Sequence, residues 1–256
     1  MRTYNAIEQI SKKIIKENIC DAIFLKGSIG RGDDDEYSDV DMYVIVSEEK
    51  MEQFLDNRLE YLLAYKSIIY YSYANFVGPQ IIVIFEDGLH FDLYAVTKES
   101  LPTTDEAKIV YDPKGLMNDY VPKIKYMEKS ACVEMFNDIL YNFIEADGAY
   151  KRGNYPWTSR ILNHSIAECS ILLRYIYDNE HAYLGLKKIN EVLPIEQYLW
   201  LEEASEHLNK KGYKIANEKI ITILEHVVES IDEDIRHKLN INFLEWIKEN
   251  LNKIIF

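Results

Sequence analysis

Apolar residues along the first half of the chain change period several times. Ile7, Ile10, Ile14 and Ile15 recur at helical spacing and predict an amphipathic first helix. Residues 22–26 are a short run of branched and aromatic side chains, the pattern of a buried strand. A glycine-rich turn follows, then a strongly β-prone run over 40–46. The helical period returns over 48–65. It gives way to strand patterns over 67–76 and 80–85, joined through Gly78-Pro79. A further strand over 89–96 follows the hairpin-type turn Glu86-Asp87-Gly88. Residues 109–111 read as one more short strand, stopped by Asp112-Pro113.

Beyond about residue 128 the texture is helical throughout. The pattern predicts helices over 133–152, 158–179, 184–192, 195–209, 216–230 and 232–250, punctuated by Gly153-Asn154-Tyr155-Pro156 and Lys211-Gly212. The fold class is therefore α+β. An amino-terminal α/β domain with a mixed sheet is expected over residues 1–115, and an all-α bundle over 116–256, with the boundary falling near 115–128. No internal repeat or low-complexity tract is visible.

Composition narrows the class. Of 256 residues, 48% are hydrophobic and 28% charged, so a packed core is expected. The net charge of -14 opposes the counterion release by which proteins grip long phosphate backbones. Long DNA or RNA is an unfavoured partner, and a neutral or cationic small molecule fits better. Cys20, Cys132 and Cys169 are odd in number and far apart, with neither metal spacing nor a disulfide framework. No apolar signal core opens the chain and no apolar run is long enough to span a membrane. These features together predict a cytoplasmic protein without a membrane partner.

The chemistry concentrates in Lys26-Gly27-Ser28-Ile29-Gly30-Arg31-Gly32 and Tyr37-Ser38-Asp39-Val40-Asp41-Met42. A strand ends at Lys26. Gly27 lets the backbone turn sharply and approach a ligand, and Ser28 brings a hydroxyl and an N–H to a helix start suited to phosphate. Asp39 and Asp41 are two apart, so on a strand both carboxylates face one side. Like charges that close need a cation between them, and Mg²⁺ suits hard oxygen ligands. Asp92 is a lone carboxylate in another apolar strand. If that strand neighbours the first, the three can share two metals. His90, two residues away, would either face the same spot or be a structural or solvent-exposed histidine. Asp33 to Glu36 read as a solvated acidic loop. A P-loop is excluded because Asp33 stands where lysine belongs, and the glycine order does not match a dinucleotide fingerprint.

Gly27, Ser28, Gly32, Ser38, Asp39, Asp41 and the later Asp92 resemble, in order and spacing, the signature of the nucleotidyltransferase superfamily that includes polymerase β and the antibiotic nucleotidyltransferases. Residues 149–155, Arg160 and residues 110–115 are similar to the lincosamide group, with the aminoglycoside enzymes close by. The resemblance implies Asp39, Asp41 and Asp92 as catalytic metal ligands. It further implies ATP as donor of AMP, an acceptor hydroxyl held between the domains, and a homodimer. Lys26, Arg31 and Ser38 join Gly27 and Ser28 as expected nucleotide-binding residues.

Asp138, Asn142, Glu145 and Arg152 share one face of a helix. That stripe is either solvated or lines the acceptor cleft, where Glu145 would be a catalytic carboxylate. Arg152 would either reach phosphates or answer the helix dipole. Two alternatives to small-molecule transfer stand at this point: a non-catalytic nucleotide- or partner-binding module of the same fold, and nucleotidyl transfer to a protein.

Overall fold

The computed structural model describes residues 1–123 and 126–254, the last four of these by backbone alone. The chain divides into two compact units, Met1–Ile124 and Lys125–Phe256.

In the first unit the described residues form one six-stranded sheet of order β3-β4-β5-β2-β1-β6. The strands are β1 (Ala22–Lys26), β2 (Val40–Ile45), β3 (Ile68–Asn75), β4 (Pro79–Phe85), β5 (His90–Val96) and β6 (Lys108–Tyr111). β2 and β5 run parallel, and the other named neighbours are antiparallel. A parallel pair needs a long connection, which here carries α3 (Glu48–Leu62) and the β3–β4 hairpin.

Side chains alternate between the faces of each strand. Ile23, Leu25, Met42, Val44, Phe91 and Leu93 point to one face, against Ile7, Ile10 and Ile14 of α1 (Arg2–Lys16) and Phe54, Tyr61 and Leu62 of α3. Ala22, Phe24, Tyr43, Ile45, Tyr94 and Val96 point to the other, where Met117 closes a smaller cluster with Leu101, Leu116 and Tyr120 beside it. Cover on both faces explains why β1, β2 and β5 are almost wholly apolar. Residues 116–123, assigned above to the helical half, belong to the sheet unit, because Met117 and Tyr120 pack there.

The second unit is built on α4 (Lys129–Lys151) and α5 (Tyr155–Tyr177), joined by a turn in which Asn154 caps α5 through its side chain. Phe136, Ile139, Leu140 and Phe143 of α4 share a core with Leu162, Ile166, Leu172 and Leu173 of α5. Ile220, Ile223, Leu224 and Val227 of α8 (Tyr213–Ser230) complete it. α7 spans Ile195–Glu206. Among the described residues no helix is long and apolar enough to cross a membrane.

Two expected helices are broken. Instead of one helix over 184–192 there is a 3-10 helix, Asn179–Leu184, then α6, Ile189–Val192. Gly185 and Lys188 between them take positive φ, at 53° and 52°. Arg174, 1% exposed, holds that break: Nε donates to Gly185 O at 2.7 Å, Nη1 to Asp178 at 2.8 Å, and Nη2 to Lys187 O. The helix expected over 232–250 splits into α9, Glu233–Arg236, and α10, Ile241–Ile254. Asn240 restarts it by accepting the Phe243 N–H at 3.3 Å.

The polar stripe of α4 is divided. Asn142 donates across to Ser165 of α5 at 3.2 Å, whereas Asp138, Glu145 and Arg152 are exposed. Opposite Asp138 lies Glu168, 8% exposed, its carboxyl pushed up to about 7, first by burial and then by the Asp138 charge. The folded protein keeps this proton to about pH 7 whereas the unfolded chain releases it near 4.5. In that window the native state binds more protons, so stability falls as pH rises. Glu168→Gln removes the cost. Thermal melts should show the variant losing less Tm than wild type between about pH 5 and about pH 8, and melting higher at the alkaline end. Parallel curves would contradict the assignment.

Candidate active site

Strand register sets the site. Lys26 of β1 pairs with Asp41 of β2, Asp41 with Asp92 of β5, and Asp92 with Ile82 of β4. Two residues along, the same face carries Phe24, Tyr43, Tyr94 and Gln80. The Tyr43 and Tyr94 rings stack with centroids 4.2 Å apart, Phe24 stacks on Tyr43 at 5.1 Å, and Gln80 Nε2 donates to the Tyr94 hydroxyl at 2.9 Å. Burial pushes both tyrosine hydroxyls well above their ordinary range. A row of charged groups thus lies beside a dry aromatic row. Asp39 just precedes β2, on the side of Asp41.

The turn after β1 meets this row closely. α2 (Gly27–Arg31) opens with Gly27 at φ +62°, and a Cβ there would collide with Asp41 Oδ2. Glycine is demanded twice, by a left-handed backbone and by the approach of a carboxylate. A Cβ on Gly30 would lie 2.8 Å from Glu106 O and 3.0 Å from Leu25 O, so two backbones pass there in contact. Ser28 is buried, and its carbonyl accepts from the N–H groups of Gly32 at 2.9 Å and Asp33 at 3.0 Å.

Asp92 is buried, and desolvation raises its carboxyl above the usual range. His90 counters that, while Asp39 adds to it. His90 lies between the two carboxylates, with Nε2 3.1 Å from Asp92 Oδ1 and Nδ1 3.9 Å from Asp39 Oδ2. Among the described residues no three His, Cys, Asp or Glu side chains are arranged to hold a metal ion. The His90 imidazole stands between Asp92 and Asp39, two members of the expected set of Asp39, Asp41 and Asp92. Asp39 and Asp41 still suit a hard divalent cation. They are oxygen donors on alternate positions of one strand, beside a turn without a Cβ, where phosphate and water would supply the remaining ligands.

Other expected residues have partners of their own. Lys26, expected at phosphate, turns toward the segment covering the aromatic face. Nζ donates to Pro102 O and the Tyr120 hydroxyl at 3.0 Å each, and to Thr104 O. Burial pulls it down to about 8, against the opposing charges of Asp105 and Asp41. Arg31 pairs with Asp105 at 2.9 Å and Asp33 at 3.4 Å. Ser38 shapes the loop before Asp39: its hydroxyl donates to Asp35 Oδ1 at 3.1 Å and accepts the Asp35 N–H at 2.9 Å. The acidic loop is thus more than a solvated run, and the Tyr4 hydroxyl also donates to Asp34, at 2.9 Å. Glu145 lies in the second unit, exposed, accepting from the Tyr141 hydroxyl at 3.1 Å. Tyr43, Tyr94 and Gln80 were not singled out from the sequence. The signal was present, since Tyr43 and Tyr94 each sit two positions after a candidate aspartate, Asp41 or Asp92.

A cavity of about 530 Å³ opens at the opposite end of these strands, lined by Asp21, Ile45, Ser47, Thr97 and Lys114 among others. Lys114 bonds Asp21 across it at 2.6 Å.

Residues 7–109 match the family model described as "Nucleotidyltransferase domain". No curated protein sequence matches the chain. Among solved structures, the aminoglycoside 6-adenyltransferase of Bacillus subtilis aligns with TM-score 0.45 at 11% identity, over 98% of this chain and 97% of that one. A nucleotidyltransferase-like protein of Exiguobacterium sibiricum aligns with TM-score 0.35 at 15% identity, over 97% and 89%. A spectinomycin adenyltransferase of Enterococcus faecialis, solved with ATP and spectinomycin, gives 0.34 at 14%, over 95% and 99%. At such scores the structural likenesses carry no argument, and what remains is the domain match over residues 7–109.

Gly27→Ala tests the close approach. The change should cost about 1–2 kcal/mol for the left-handed backbone, read by urea unfolding. It should also weaken Mn²⁺ binding by displacing the Asp41 carboxylate. Unchanged Mn²⁺ affinity would separate Gly27 from the site.

Proposed function

We propose that this chain, whose residues 7–109 match the nucleotidyltransferase domain model, transfers the AMP of ATP to a hydroxyl of a small molecule and releases pyrophosphate. The observation carrying the proposal is the meeting of Asp41, Asp92 and Asp39 with the Gly27 turn at one end of the sheet. Phosphoryl chemistry needs charge compensation and in-line positioning more than it needs a nucleophilic side chain. A Mg²⁺ ion held by Asp39 and Asp41 would offset the triphosphate charge and stabilise the departing pyrophosphate.

The chain's own residues do the rest. The Gly27-Ser28 turn lets phosphate approach the backbone. The acceptor hydroxyl gives its proton to Asp92 as its oxygen bonds the α-phosphorus and the bond to pyrophosphate breaks. Burial makes Asp92 a stronger base, and its bond to His90 fixes the carboxyl. The intervening His90 ring favours Asp92 as base over Asp92 as metal ligand. The Tyr43–Tyr94 stack keeps the inner side of the site dry, where charges act strongly. The expected acceptors are hydroxylated antibiotics of the aminoglycoside and lincosamide types, in keeping with an acidic protein.

Incubation with labelled ATP, Mg²⁺ and such a panel should yield an acceptor heavier by one AMP. Asp39→Asn and Asp41→Asn should each reduce the rate by at least about 10³-fold while leaving the melting curve in place. Full activity in both variants would end the proposal. A panel without products, with pyrophosphate still released in the presence of another acceptor, would remove the antibiotics and keep the reaction class.

A further inference from the structure

β3 is an outer strand of the sheet, paired on one side with β4 and, among the described residues, with no strand on the other. Its pairing with β4 is interrupted once, beside Ile69, and is regular from Tyr70 to Asn75. No charged residue occurs over residues 67–85, although 28% of the chain is charged. Instead Tyr70, Tyr71 and Tyr73 are each half or more exposed, and Phe76 at the hairpin tip is 83% exposed. Val83 and Ile81, opposite Tyr71 and Tyr73 on β4, are fully buried, so the apolar surface continues past its cover. Successive strand residues point to opposite faces, so β3 is open on both. Its tyrosines are nonetheless held. The Arg58 guanidinium lies over the Tyr73 ring, 4.9 Å from the centroid, and Tyr71 meets Tyr73 edge-on at 5.8 Å.

We propose that the outer edge of β3 docks a second copy of this chain, strand to strand and antiparallel about a twofold axis. The inference stands apart from the proposed transfer and assigns no residue to it. Natural sheets guard a free edge with charge, proline or a covering segment, because its open N–H and C=O groups are a template for another strand. Residues 70–75 of β3 carry neither charge nor proline. Charge selects the occupant. Each copy carries a net charge of -14, which keeps copies apart wherever acidic surfaces meet. Two copies can approach through a stretch that has no charge, and a partner recruited by charge finds nothing there to pair with. Symmetry agrees, since a strand paired antiparallel with itself is self-complementary. A register centred on Ser72 stays within the regular stretch. It sets Tyr71 opposite Tyr73 of the second copy, and Tyr73 opposite Tyr71, two aromatic cross-strand pairs on one face. The area suffices. With a fully buried aromatic covering 150–250 Å², the exposed residues of β3 and its tip present on the order of 600 Å² per copy, about 1,200 Å² for the pair, the lower bound of a specific interface.

The test is sedimentation equilibrium of the full chain over a range of concentrations. Wild type should reach twice the chain mass, and the dimer should tighten as salt screens the acidic surfaces. Tyr71→Lys puts a cation on each side of the twofold and should weaken the dimer at least about tenfold. Tyr71 is exposed, so the variant's melting curve at low concentration should match wild type. Ile195→Lys, an equally exposed change on α7, should dimerise as wild type does. Ser72→Cys, treated with oxidised glutathione, should run as a disulfide-linked dimer on a non-reducing gel, where wild type does not. Cys132 and Cys169 are buried and Cys20 is half-buried, so the native thiols give a low background. Wild type at the mass of one chain at every concentration, a dimer equally tight in Tyr71→Lys, or no cross-link in Ser72→Cys would each overturn the interface.

Discussion

The first unit depends on a parallel pairing of β2 with β5 that sets Asp41 directly beside Asp92. Two carboxylates on adjacent strands repel, and no apolar packing calls for them there. The surroundings limit that repulsion in several ways. His90 stands between Asp92 and Asp39, Lys26 is the strand partner of Asp41, and burial lets Asp92 hold a proton more readily. Gly27 then allows the chain to pass where any Cβ would strike Asp41. Each feature is local, yet all follow from one register. A slip by one residue would carry Asp41 and Tyr43 to the face packed by α1 and α3.

The strands and the Gly27–Asp41 motif were legible because their signals are short-range. Period-two alternation, a glycine-serine turn and carboxylates in apolar runs can be read within a few residues. Side-chain partners were less legible because they come from far along the chain. Lys26 looked free for phosphate in sequence, but Pro102, Thr104 and Tyr120 claim it across some 76 to 94 positions. Arg31 has the same history with Asp105. The helix breaks near Gly185 and Asn240 were missed for a different reason. Apolar periodicity continues through both, and only backbone sign at one and a side-chain cap at the other interrupts it. His90 was seen as a neighbour of Asp92, but its place between two carboxylates needed coordinates.

Buried charge is distributed unevenly over the two units. In the first, Lys26 and Asp92 lie on the sheet face that carries the proposed chemistry, and each has polar partners. Among the described residues of the second, the buried acid Glu168 and the buried base Arg174 are treated in opposite ways. Arg174 is saturated by two carbonyls and Asp178, and its role is to hold an irregular segment against α5. Glu168 is left with an open oxygen beside Asp138. Packing quality does not explain the contrast, since both residues sit on the same helix within the same core.

That contrast bears on how a catalyst can use stability. An apolar residue at position 168 would remove an unpaired carboxylate and would be expected to raise stability, by the argument that unpaired buried charge costs more than hydrophobic replacement. The chain instead carries the cost in a helical seam and carries a second, similar cost at Asp92. In both places desolvation raises the energy of the ionised form, and in both a cation or a proton relieves it. In the proposed transfer the acceptor hydroxyl would supply that proton to Asp92.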